Sequence, residues 1–161
     1  MAIKATGKLY KDFFTDTGEL AIQIPALSRP TLAQLQAKFW FRSVERDHSP
    51  TEAITLRLNT VLHGAEEKIN SAEYERRIAS RTNIILGYQQ AVWLAGHQDE
   101  FPKFKDLLGK IYIEFSGLVV VGTNGERRYP YLGNAGKRWS LIWNLLGEGF
   151  YRFGRLAVSG K

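Results

Sequence analysis

Leu118-Val-Val-Val-Gly-Thr-Asn-Gly-Glu-Arg-Arg-Tyr-Pro-Tyr-Leu132 is the stretch that decides the fold class. Two β-rich runs flank Asn124-Gly125, a pair that readily supplies the two positive φ values of a type I′ hairpin turn. The two-residue period continues on both sides. It predicts strands at 111–115, 118–123, 126–132, 137–145 and 150–158, separated by Ser116-Gly117, Asn124-Gly125, 133–136 and 146–149. Turn signals at such short intervals predict a C-terminal antiparallel five-strand meander over about 110–161, either a small barrel or an open sheet.

Upstream, residues 8–14 and 19–25 read as an N-terminal β-hairpin around 15–18, with Gly18 as its positive-φ residue. The spacing then turns helical. Leu32, Leu35 and Phe39 share a face behind a Thr31/Gln34 capping box, which predicts a helix over about 31–46. Ser49, Pro50 and Glu52 open a second helix to about His63, carrying Ile54, Leu58, Val61 and Leu62, and Gly64 ends it. Asn70 and Glu73 open the longest helix, about 71–97, with Tyr74, Ile78, Ile85, Tyr88, Val92 and Ala95 on one stripe. A short fourth helix runs from Pro102 to Leu108 and stops at Gly109. Strands and helices are segregated along the chain, so the class is α+β, a single domain over 1–161 with its helical part at about 31–109.

Composition narrows the functional classes. At 161 residues, 44% hydrophobic and 24% charged, the chain has the size and apolar content of one globular domain. The absence of cysteine excludes a disulfide scaffold, a thiolate metal site and a thiol nucleophile. No apolar run approaches the ~20 residues of a membrane span, and residues 1–7 lack the apolar core of a signal peptide. The expectation is a cytoplasmic protein without membrane contact.

The net charge of +6 is unevenly placed. Residues 1–100 hold twelve basic and twelve acidic side chains, whereas residues 101–161 hold ten basic and four acidic. That last stretch also carries eleven aromatics. Cations match phosphates and planar rings match unstacked bases, a combination suited to single-stranded nucleic acid. Strand alternation puts Arg127, Tyr129 and Tyr131 on one face of the third strand, with Arg128 opposite. With Lys137, Arg138, Tyr151, Arg152 and Arg155 they form the candidate nucleic-acid-binding set, while Trp139, Trp143, Phe115 and Phe150 read as core. The same residue types also build small β-sheet cores, and basic pairs beside hairpin turns also serve solubility.

Arg81 sits in the middle of the apolar stripe of the long helix, which predicts a buried ion pair or a partner contact. His63 with Glu66 or Glu67 does not make a metal site, and His48 and His97 sit at helix ends. The carboxylates Glu66-Glu67, Asp99-Glu100, Glu114, Glu126 and Glu148 define no catalytic pair, and the glycines lead into no phosphate loop. The reading leans away from an enzyme and expects no cofactor and no metal. It favours a nucleic-acid-binding protein or nucleoprotein subunit that contacts single strands or RNA. The rival is an assembly module that uses the same Tyr/Trp/Arg face for a protein partner or a second copy of itself.

Overall fold

The computed structural model describes residues 12–160 together with the backbone of two short extended pairs, Ile3–Lys4 (β1) and Gly7–Lys8 (β2). Its class is α+β, with a large, mostly antiparallel sheet and helices on both faces.

The chain opens the main sheet with β3, Thr15–Ile24, a single ten-residue strand where a hairpin is predicted. Asp16 pairs with Asn59 and Ala21 with Arg57, so the expected turn is a bulge inside the strand. Gly18 keeps its positive φ of 76°, and its N–H donates to the Asp16 carboxylate at 2.8 Å. The predicted first arm of that hairpin falls partly outside the described residues, and Asp12–Phe14 follow no strand.

The first two predicted helices are mostly strand. Thr31 and Gln34 do form the capping box, but the helix it opens, α1 (Leu32–Gln36), lasts five residues and gives way to β4, Phe41–Asp47. The predicted second helix is β5, Ile54–Thr60. Ile54, Leu56 and Leu58 point into the core at a period of two, and Leu56 is the residue that a helical spacing leaves unexplained. Ser49 does not cap a helix. It is fully buried, donates to Asp47 at 2.6 Å and accepts from Gln89 at 2.9 Å.

The predicted long helix is broken. Asn70 caps α2, Ser71–Ile78, by accepting from the Glu73 N–H at 2.9 Å. A 3-10 segment, Ala79–Ile84, follows, in which Arg81 leaves helical geometry at φ −136° and ψ 39°. Helix α3, Tyr88–Gly96, begins only after Gly87. Between them Leu86 donates to the Ala157 carbonyl at 3.0 Å and accepts from the Gly117 N–H at 2.9 Å. Helix α4, Pro102–Asp106, stands where expected.

The C-terminal strands keep the predicted order as β7 (Tyr112–Glu114), β8 (Leu118–Gly122), β9 (Arg127–Ala135) and β10 (Arg138–Leu145), but β9 runs on through 133–135, where a turn is predicted, and the predicted strand 150–158 is two, β11 (Phe150–Tyr151) and β12 (Gly154–Gly160). Their pairing is not a five-strand meander. β8, β9 and β10 join as successive hairpins, but β7 runs beside β9 rather than β8. β12 inserts between β5, antiparallel, and β7, parallel. The main path is β3-β5-β12-β7-β9-β8-β4, with β10 on the other edge of β9, and β11 pairs separately with β6, Lys68–Ile69.

β7 and β8 are one strand broken at Phe115–Gly117, and the Ile85–Leu86 segment fills the gap. A Cβ on Gly117 would lie 2.4 Å from the Ile85 carbonyl oxygen and 2.7 Å from that of Leu86. Neither backbone oxygen can swing away as a side-chain tip would. Gly117→Ala is expected to cost about 1–3 kcal/mol in urea unfolding. An unchanged midpoint would mean that the break in the sheet is soft.

Helices α3 and α4 bury Ala91, Leu94 and Phe104 against Leu56, Leu58, Ile113 and Leu132 on one face. On the other, Tyr74 and Ile78 of α2 cover Val119, Tyr129, Leu156 and Val158. That second face continues past α2 and lies open over β7, β9 and β10.

Candidate nucleic-acid interface

The open part of the sheet is a cleft of about 650 Å³, with Tyr131, Gly133, Ile142 and Asn144 on its floor. Lys110, Tyr112, Glu148, Tyr151 and Phe153 complete its lining, and the Tyr112 N–H donates to the Phe153 carbonyl at 3.2 Å. Two glycines let the rings lie down on the sheet. A Cβ on Gly133 would sit 3.1 Å from the Tyr131 ring, and one on Gly154 would sit 2.9 Å from that of Tyr112. The two tyrosine rings meet edge to face with centroids 6.0 Å apart. Burial raises the phenols of Tyr112 and Tyr131 above the usual range, so both hydroxyls keep their protons at neutral pH.

Beneath the inner end lies a polar pocket in the core. Asn144 donates through Nδ2 to the Tyr129 hydroxyl at 3.1 Å, and its Oδ1 accepts from the Leu145 N–H at 3.0 Å. Tyr129 is fully buried, as are Tyr74 and Glu114. The Tyr74 hydroxyl shares a hydrogen bond with Ser116 at 2.9 Å. Neither Glu114 oxygen closes a hydrogen bond within the protein. Burial pushes the Glu114 carboxyl up to about 8, against the opposing pull of the Tyr74 and Tyr129 hydroxyls. Burial thus favours the neutral acid over the carboxylate here.

The predicted site residues separate into three groups. Tyr131 and Tyr151 line the cleft, and the Arg152 guanidinium lies 4.6 Å from the Phe153 ring centre. Tyr129 belongs to the core, a correction to its expected place in an exposed strip, because α2 covers that end of the shared face. The remaining cations lie elsewhere. Arg128, on the opposite face, approaches Glu126 at 3.5 Å, and Lys137 sits in the β9–β10 turn at a φ of 69°.

Most of these arginines already hold a carboxylate from the first hundred residues. Arg127 meets Glu45 at 2.7 Å and Glu75 at 2.9 Å, Arg138 meets Asp99 at 3.2 Å, Arg152 meets Glu67 at 3.3 Å and Arg155 meets Glu19 at 2.6 Å. The Arg127 guanidinium holds the Glu45 carboxyl below the ordinary range, and Arg138 does the same to Asp99. The charge asymmetry along the chain is thus largely cancelled across the fold.

Arg81 is not buried. Its helix breaks at that residue, and the side chain, 42% exposed, pairs with Asp12 at 3.2 Å over the Phe14 ring. The buried arginine is Arg77, which meets Glu66 and Glu73 at 2.7 Å and donates to the Val61 carbonyl at 2.8 Å. Arg77 holds Glu66 at about 2, and Arg76 together with Arg77 does the same to Glu73.

Sequence reasoning missed Tyr112, Asn144, Glu148 and Phe153 as members of one cleft, and Glu114 beneath it. Glu114 did carry a signal: a lone acidic residue alternating with Ile113 and Phe115 on a core strand. Among the described residues, no group of three or more His, Asp or Glu could hold a metal ion, and no helix is long and apolar enough to cross a membrane. No family model, no curated protein and no solved structure matches the chain.

Proposed function

We propose that the protein binds single-stranded nucleic acid, with RNA favoured, as a binder or a subunit of a nucleoprotein complex rather than as an enzyme. The cleft carries this reading: a site of about 650 Å³ lined by four aromatic rings has room for an unstacked base. Lys110 in its lining and Arg152 over the Phe153 ring put cations beside it for a flanking phosphate. The internal ion pair of Arg152 does not forbid this role. A surface pair is worth only about 0–1 kcal/mol and yields to a better-placed phosphate. Arg127, clamped between two carboxylates, is left out of the contact set.

Anisotropy titrations of labelled single-stranded RNA, single-stranded DNA and duplex DNA at several salt concentrations test the reading. Binding should favour single strands and fall linearly on log–log axes. Tyr131→Ala should weaken it by about 1–3 kcal/mol, the range for one stacked base, and Arg152→Ala should lower the salt slope by about one. Absence of binding at the lowest salt overturns it. One observation favours the rival reading, a protein partner or a second copy: Trp40 stands 87% exposed near Arg128, which is an aromatic anchor without a core role. Association by that route would change little with salt.

A further inference from the structure

We infer that the base taken into the cleft is guanine, recognised through its Watson–Crick edge by the carboxylate of Glu148; this rests on the single-strand reading above.

Glu148 is held at the rim by its neighbours rather than by its own contacts. It ends the short 3-10 turn Leu146–Glu148, with Leu146 at 2% and Phe150 at 0% exposure anchoring the chain on either side. Gly149 at φ 82° fixes the exit, and a Cβ there would lie 2.2 Å from the Ile69 carbonyl oxygen. The backbone under Glu148 is thus fixed, while its side chain is exposed and takes no ion pair or hydrogen bond among the described residues. It lines the same cleft as Tyr131, the ring on the floor.

An ionised carboxylate only accepts hydrogen bonds, and it accepts best from two adjacent donors. Guanine alone among the four bases presents two neighbouring donors on one edge, N1–H and the exocyclic amino group. Adenine and cytosine offer one amino donor beside a ring-nitrogen acceptor, which the carboxylate repels. Uracil offers one N–H between two carbonyls. Asn144 adds a second constraint. One amide hydrogen goes to Tyr129, which leaves the other N–H of this cleft-lining residue to meet an acceptor such as the guanine O6. An amide donor and a carboxylate lining one cleft supply the hydrogen-bonding types that the guanine edge requires.

The test uses four labelled octaribonucleotides, oligouridine and three variants with a single central guanosine, adenosine or cytidine, titrated into the full chain and into Glu148→Gln. The guanosine strand should bind about tenfold tighter than the others, and Glu148→Gln should erase that difference. Equal binding of all four strands overturns the inference while the single-strand reading stands. A guanosine preference that survives in Glu148→Gln overturns the assignment to this residue. Failure of every strand to bind overturns both.

Discussion

Glu114→Gln is expected to remove a loss of stability that the native protein suffers as pH rises from about 4.5 to about 8. Unfolded, this carboxyl titrates near its ordinary value of 4.5; folded, it keeps its proton to about 8 because it is fully buried among Tyr74, Tyr129 and Ser116. Between those values the native state holds one more proton than the unfolded chain. Stability then falls with rising pH by up to about 1.4 kcal/mol per unit and levels off above the folded value. Glutamine is neutral throughout and close in shape to the protonated acid. Urea midpoints of the two proteins should therefore agree near pH 5 and separate by pH 9, with the variant the more stable. Equal slopes from pH 5 to 8 would mean that Glu114 ionises in the folded state without penalty.

The acidic limb has a different owner. Glu66 is held at about 2 by Arg77, and Glu73 by Arg76 and Arg77, so the stability they contribute is present above 4.5 and disappears as pH falls towards 2. The two limbs run in opposite directions and place the optimum of the fold on the mildly acidic side of neutrality.

Phe104→Ala is expected to cost about 3–5 kcal/mol, a large share of the ~5–15 kcal/mol that holds a domain folded. The ring is fully buried and stacks on Trp139 at 4.6 Å and 8°, while the Phe104 carbonyl accepts from the Trp139 indole at 3.0 Å. Collapse around the vacancy is obstructed. Trp139 is fixed through its backbone, its N–H donating to Gln98 at 2.9 Å and its carbonyl accepting from Gln98 at 3.0 Å. A cavity should remain, with a fall in melting temperature of roughly 6–20 °C for a chain of this size. A cost below about 1 kcal/mol would mean that α4 is free to follow the smaller side chain inward.

What could be read from the chain was what neighbours in sequence determine. The hairpin between β8 and β9, the Thr31 and Asn70 caps and the four strands from 111 to 145 are local, and the structure has them, although only Gly125 of the Asn124-Gly125 pair takes a positive φ, 89°, so the turn is not type I′. β5 was misread because Ile54 and Leu58 satisfy both periods, and only the burial of Leu56 decides between them. The long helix was misread because its stripe runs on through Ile84–Gly87, where the backbone leaves the helix to bond Ala157 and Gly117, residues far along the chain. Tyr129 and Tyr131 share one face, yet only one is covered by α2, and no property of either residue distinguishes them. The basic residues were visible; their carboxylate partners, 39 to 136 residues away, were not.

The place of β12 bears on how the chain reaches this structure. Gly154–Gly160 lies between β5 and β7, so the strand synthesised last among those described is the one that closes the middle of the sheet. Until it emerges from the ribosome, the β3-β5 ribbon and the β7-to-β10 group each carry an open apolar edge with nothing between them. Such edges pair with whatever strand is near. The nascent protein is therefore most exposed to aggregation until Gly154–Gly160 has been made, and the most non-local step in forming the sheet is the insertion of one seven-residue strand across two waiting borders.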